Sequence, residues 1–346
     1  MATLINFLQI ILAILLFGFL IFIHEGGHFL FARLFGVTVN EFSIGMGPKI
    51  FSKKSEKSGI VYSLRALPIG GFVSMAGEDE DSDDPNAFYK KPVWQRLIIT
   101  FAGAGVNLLA GALVMTVLVF SNPILGSTTV VEFLDSSVSS ESGLEAGDRI
   151  TAVEGQKVHI LDELYYEVMR LGIEPCDLTV ERDGETLVLS DVEFPQISSK
   201  GVAFGDLDFI VAREAPTFKN LLKHSFYKCT YTVRMIWESL YDLVSGRYGV
   251  EAVSGPVGVT EALTDAADAG AYSFTNLAVV ISINLGIMNL MPFPALDGGR
   301  IVFLLIEAIR RKPLNRNVEA YINLAGLAVL MLLMVFICTK DIIGLF

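Results

Sequence analysis

"LINFLQIILAILLFGFLIFIHEGGHFLFARLFGV", residues 4–37, is an apolar run with two histidines and a glutamate set into its later part. As a helix rising about 1.5 Å per residue it is longer than the roughly 30 Å hydrocarbon core of a bilayer. In water His24, Glu25 and His28 would cost little. Within a membrane they need a compensating partner or a water-filled cavity. No Lys or Arg precedes the run, and it exceeds the h-region of a signal peptide, so a retained span is expected.

The rest of the chain has the same character. Residues 97–120 and 318–338 are apolar and of membrane length, and residues 275–309 are apolar but interrupted by "MPFPALDGGR". The 346 residues are 52% hydrophobic and only 18% charged, against about a quarter charged in soluble domains. The expected fold class is a polytopic α-helical membrane protein with four transmembrane helices, placed at 1–37, 97–121, 275–312 (broken) and 317–340. A net charge of −12 without a basic patch excludes nucleic acid as a partner. The three cysteines show no paired spacing and read as free thiols.

Basic residues orient the spans. Lys49, Lys53, Lys54, Lys57, Arg65, Lys90, Lys91 and Arg96 lie in the first connection, and Arg310, Arg311, Lys312 and Arg316 in the third. The positive-inside rule makes both connections cytoplasmic, with both termini and the long middle segment extracytoplasmic. The connection 38–96 alternates Phe42, Ile44 and Met46, then Val61, Tyr62 and Leu64, around Gly and Pro. It is expected to form short β-hairpins against the membrane face. "EDEDSDDP", from Glu78, reads as a solvated acidic loop, since it lacks the Gly and Glu of an EF-hand calcium loop.

Residues 126–195 run strand, turn, strand, helix and then a hairpin about Asp183-Gly184, an αβ module. Residues 196–274 form an extracytoplasmic linker. Within it Leu221, Leu222, Phe226, Val233, Ile236, Trp237, Leu240 and Leu243 have helical spacing. That helix is expected along the outer membrane surface or against the αβ module. His159 and His224 are expected to be surface or packing residues.

His24-Glu25-Gly26-Gly27-His28 is an H-E-x-x-H motif. Four residues along a helix is about 40° of rotation and roughly 6 Å of rise, so both imidazoles reach one zinc ion with Glu25 beside the open position. The alternative is a helix end at the cytoplasmic face, where water already reaches these side chains. A catalytic zinc usually takes three protein ligands. Pro292 and Pro294 forbid a continuous helix, and unwound backbone at membrane depth must be buried in protein or line a cavity. Asp297, on that backbone, is the candidate third ligand. It also qualifies as the N-cap of the following helix, and Glu307 is a rival third ligand for a different H-E-x-x-H protease. Asn107 is a candidate for lining the same cavity or for a helix–helix hydrogen bond.

"HEGGH", the later "NLMPFPALDGG" and the outer αβ module together resemble the site-2 proteases, zinc metalloproteases that cleave within the membrane. The bacterial RseP-like members with a single PDZ domain are most similar. "EFSIGMGPKIF", "PIGGFVSMAGEDE" and "SGPVGV" extend the resemblance over nearly the whole chain. "SGLEAGDRITAVEGQKV", residues 142–158, carries the resemblance to a PDZ domain, a module that binds peptide ends by strand addition. The resemblance implies that His24, His28 and Asp297 bind Zn²⁺, with Glu25 as general base. It implies that Asn289, with Pro292 beside it, holds the substrate backbone, and that the loop from Glu41 to Met75 presents the substrate as an added strand. It further implies a multi-pass protein of the bacterial cell membrane, in contact with lipid, acting on pre-trimmed single-span substrates such as anti-sigma factors or signal-peptide remnants. Two positions depart from the family pattern: Gly26, where a larger apolar residue is common, and Ala104 in "FAGAGVN", where Pro is common. A catalytically silent scaffold that gathers peptides is the rival from another class.

Overall fold

The computed structural model describes residues 2–78, 82–135, 137–199, 202–247 and 253–343. The chain divides into two compact units, one of residues Met1–Ala112 with Leu240–Phe346 and one of residues Leu113–Ser239.

The first unit is built mainly from helices, most of them long and apolar. They are α1 (Ala2–Leu34), α2 (Val93–Ser121, which passes into the second unit), α6 (Pro256–Asp268), α7 (Ala271–Leu290), α8 (Asp297–Arg310) and α9 (Arg316–Ile343). Four of them are long and apolar enough to cross a membrane: Ile11–Leu34 of α1, α2, α7, and Arg316–Asp341 of α9. Leu15, Leu109 and Leu332 stay at least 60% exposed, as lipid-facing side chains do. α1 stops at Gly36, whose φ of 66° suits glycine. There the Val37 N–H bonds Ala32 O and the Gly36 N–H bonds Arg33 O, a Schellman closure. α6 begins at Pro256, and the Asp341 carboxylate of α9 accepts from the Gly255 and Gly258 N–H groups at its start.

The broken span expected over 275–312 resolves into two helices. α7 is long enough to cross alone, and α8 is a separate amphipathic helix. Pro292 and Pro294 cannot donate within a helix, so the backbone leaves α7 at Met291. It then passes through Ala295 in the left-handed region (φ 71°) and re-enters helix at Asp297. Gly298 and Gly299 permit that fold-back, because a Cβ on either would run into the carbonyls of Met291 and Phe293.

Between α1 and α2, two long strands, β1 (Val39–Lys54) and β2 (Val61–Met75), replace the several short hairpins expected. Both bend, so residues 41–44 lie between 71–74 and 61–64, and 61–65 lie in turn beside 49–54. Val39, Phe42, Ile60, Val73 and Met75 pack with Ala32 of α1, with Phe88 in the turn before α2, and with Ile99 of α2. Of the acidic stretch, residues 79–81 lie outside the described residues. Its first member is not solvated: the Glu78 side chain is 9% exposed and pairs with Arg300.

The second unit is the αβ module. Its strands are β3 (Gly126–Phe133), β4 (Arg149–Val153), β5 (Gln156–Lys157), β6 (Cys176–Arg182), β7 (Glu185–Val192) and β10 (Phe209–Arg213). They form one sheet in the order β10-β3-β4-β6-β7, with β5 paired to β4. A one-turn helix α3 (Val138–Glu141) and the longer α4 (Leu161–Leu171) accompany it, and β8 (Gln196–Ser199) and β9 (Val202–Gly205) make a separate hairpin. The sheet thus runs past Pro195, where sequence periodicity ended it, because β10 returns antiparallel to β3. Ile150, Val153, Leu164, Val168, Leu178 and Val180 fill the core.

The helix expected in the linker is α5 (Phe218–Val244). Its part within this unit lies against α4, with Lys228–Asp162 at 2.9 Å and Arg234–Glu167 at 2.7 Å. His159 stacks on Tyr227 at 4.0 Å, and His224 is wholly buried, so both histidines pack. Cys176, Cys229 and Cys338 are thiols, none of them joined in a disulfide.

Candidate metal centre and active site

The i, i+4 spacing on α1 puts His24 and His28 on one helix face, with Nε2 atoms 3.3 Å apart. Asp297, the first residue of α8, brings its Oδ2 within 3.3 Å of each of those nitrogens. Three lone-pair atoms therefore form a near-equilateral triangle. Zinc bonds of about 2.0–2.1 Å at the tetrahedral angle demand ligand separations of about 3.3–3.4 Å. Asp297 Oδ2 is also buried and makes no hydrogen bond. A buried carboxylate oxygen in that state needs a cation, and the three residues fit a zinc ion. Among the described residues, this is the one group of three His, Cys, Asp or Glu side chains gathered tightly enough to hold a metal.

α2 supplies the support behind the histidines. His28 Nδ1 meets the Ile99 carbonyl oxygen at 2.8 Å, and His24 Nδ1 meets the Asn107 carboxamide at 3.3 Å. This contact requires small residues on both helices. A Cβ on Gly27 would strike the Ala102 carbonyl, and one on Gly103 would strike the His28 ring. By contrast, nothing lies within 4 Å of a Cβ on Gly26.

The site opens into a cavity of about 610 Å³ lined by His24, Glu25, His28, Asp297, Asn289 and the β2 segment 70–75. Glu25 lies against that strand, since a Cβ on Gly71 would stand 2.9 Å from Glu25 Cγ. Among the described pairings, residues 71–75 bond on one side only, to 39–44. Among the described residues no strand pairs with their other edge, where the Met75 N–H meets Glu78 Oε2 at 3.4 Å. α8, and Asp297 with it, is clamped by two ion pairs. Arg96 grips Glu307 through two hydrogen bonds of 3.0 and 2.5 Å, and Arg300 pairs with Glu78.

These contacts sort the sequence candidates. His24, Glu25, His28, Asp297 and Asn289 come together around the cavity, with Asn289 Nδ2 bonded to Leu285 O at 2.9 Å. Pro292 is exposed and does not line the cavity; it breaks the helix between α7 and α8. Asn107 is fully buried and also off the wall, in contact with His24. Glu307 is engaged by Arg96 and is not part of the histidine cluster, which removes it as a third ligand. Sequence reasoning missed the Ile99 carbonyl, Gly103 and both ion pairs. Arg96 and Glu307 gave a signal, as opposite charges at the ends of apolar segments.

Residues 12–333 match the family described as Peptidase family M50. The regulator of sigma-W protease RasP of Bacillus subtilis is 33% identical over 97% of this chain and 99% of its own length. The zinc metalloprotease RasP of Bacillus licheniformis is 31% identical over 97% and 99%. A Clostridium acetobutylicum protein whose name places it among zinc metalloproteases is 35% identical over 98% of both chains. The chain belongs to peptidase family M50, the site-2 metalloproteases.

Proposed function

We propose that His24, His28 and Asp297 hold the zinc ion of this protease, that Glu25 is its general base, and that the site cuts peptide bonds inside transmembrane segments. The chain is a zinc metalloprotease of a bacterial membrane. The observation that carries the residue assignment is the 3.3 Å triangle of Nε2, Nε2 and Oδ2.

When bound there, zinc supplies Lewis acidity, which polarises a carbonyl and lowers the pKa of water toward about 7. The chain's own groups do the rest. The Glu25 carboxylate, adjacent to His24 and on the cavity wall, takes a proton from the attacking water and returns it to the leaving amine. A substrate helix shields its carbonyls by internal hydrogen bonding, so it must be unwound before attack. The edge of residues 71–74 turned away from β1 offers backbone donors and acceptors to an extended segment, which adds as a further strand beside Glu25. Asn289, which also lines the cavity, holds the backbone of that segment.

The basic residues of 49–96 and 310–316 support a cytoplasmic hairpin and α8–α9 connection, with the termini and αβ module outside. The αβ module, read as a PDZ domain, gates the site or senses newly exposed ends. The substrates are single-span proteins already trimmed elsewhere, such as anti-sigma factors or signal-peptide remnants. The test is co-expression of such substrates with wild type and Glu25→Gln. A cut within the substrate's membrane segment that the variant abolishes is expected; cleavage by both proteins alike rejects the assignment.

A further inference from the structure

The metal reading uses one nitrogen of each imidazole. The other nitrogen of each faces α2. His28 Nδ1 donates to the Ile99 carbonyl oxygen, which leaves its Nε2 lone pair free to ligate. His24 Nδ1 has the Asn107 carboxamide 3.3 Å away, with Nδ2 as the nearer atom. In that orientation a ligating His24 is at odds with its neighbour. Its Nε2 carries the lone pair, so its Nδ1 carries the hydrogen, and two hydrogen-bearing nitrogens face one another. Meanwhile Asn107 Oδ1 is buried without any hydrogen-bond partner. Carboxamide oxygen and nitrogen are assigned from the bonding network around them. Turning the Asn107 carboxamide over aims Oδ1 at His24 Nδ1–H and relieves both faults at once.

We infer that Asn107 is a positioning residue for the metal centre: its side-chain oxygen accepts the Nδ1 proton of His24 and so holds the tautomer and ring orientation that ligation needs. The inference rests on the metal reading above and deepens it. Asn107 is suited to this task and not to holding substrate. It is fully buried, lies off the cavity wall, and its own carbonyl accepts from Ser282 Oγ at 2.9 Å, which ties it to α7. α2 therefore orients both histidines, one through a backbone oxygen and one through a side-chain oxygen. Partners of this kind set metal affinity by about 10–100-fold.

The test is zinc affinity of the purified full-length protein, measured by competition with a chelator, beside KM for a cleaved substrate. Asn107→Leu keeps volume but offers no acceptor and should weaken zinc binding by about 10–100-fold. Asn107→Asp restores an acceptor oxygen and should hold zinc within a few-fold of wild type. KM at saturating zinc should be unchanged in Asn107→Asp. Wild-type zinc affinity in Asn107→Leu overturns the inference, and so does a raised KM with unchanged zinc affinity. If Asn107→Leu fails to fold, Asn107→Asp still decides, because loss of zinc there shows that an acceptor does not suffice. His24→Ala separates the two readings. Should it leave wild-type affinity intact, the metal centre itself is misassigned; should it alone lose zinc, only the role of Asn107 falls.

Discussion

Gly103→Ala puts one methyl group where the account allows none. A Cβ at that position would lie 2.6 Å from His28 Cε1 and 2.8 Å from Cδ2, and would overlap Nε2 itself. Restoring ordinary contact of about 3.4 Å with the overlapped Nε2 requires a shift of more than about 1 Å, and the ring is pinned on its far side by the Ile99 carbonyl. Metal–ligand distances tolerate about 0.2 Å. The ring must therefore swing off the metal position or α1 must part from α2, at a cost of about 1–3 kcal/mol of overpacking. Either response removes a ligand, so zinc affinity and cleavage rate should each fall by at least about 100-fold, or roughly 2.7 kcal/mol. Zinc content after dialysis against a chelator and single-turnover cleavage both report this. Gly26→Ala is the matched control two residues from His24. Its Cβ meets nothing within 4 Å, so zinc and rate should persist, with a gain of up to about 1 kcal/mol in helix stability. A Gly103→Ala protein with wild-type zinc affinity and rate would refute the packing argument.

Glu25→Gln should retain zinc while cleavage falls by about 100-fold or more, as measured by metal content and single-turnover rate. Removing either partner of the Arg96–Glu307 pair leaves the other charge largely buried, with side chains only 9% and 17% exposed, so each single variant should lower stability by about 3 kcal/mol. The double variant should be milder than their sum in thermal unfolding, and strict additivity would show that the pair does not clamp α8. On the hairpin, burial pushes the Glu41 carboxyl up, but hydrogen bonds from Lys49, Ser63 and Arg65 outweigh it and hold it down at about 2. That stability is present above about pH 4.5 and lost as pH falls toward 2. Unfolding of wild type should approach that of Glu41→Gln over this window, and parallel pH profiles would contradict the assignment.

The features legible in the sequence were the local ones. H-E-x-x-H fixes its own geometry once it lies on a helix, and Pro292 and Pro294 break a helix whatever surrounds them. That Asp297 reaches the histidines was an argument from cost, since few other fates exist for a carboxylate on broken backbone at that depth. Long-range pairing was not legible. The doubling of β1 and β2 into four adjoining stretches depends on register across pairings as distant as Val39 with Met75. β10 joins β3 across most of the module, and its five residues carry no sign of their partner. α8 was merged with α7 because apolar composition continues through the break, whereas the two glycines that turn the chain back pointed to the separation. Asn107 fell between two readings because a buried amide in a membrane helix announces a partner without naming it.

X-ray absorption at the zinc edge tests the central claim most directly. The purified protein should show one zinc surrounded by nitrogen and oxygen only, at about 2.0–2.1 Å, with two imidazole signatures that Asp297→Ala perturbs. A sulfur shell at about 2.3 Å, or a spectrum unchanged in Asp297→Ala, would place the metal elsewhere in the chain and contradict the account.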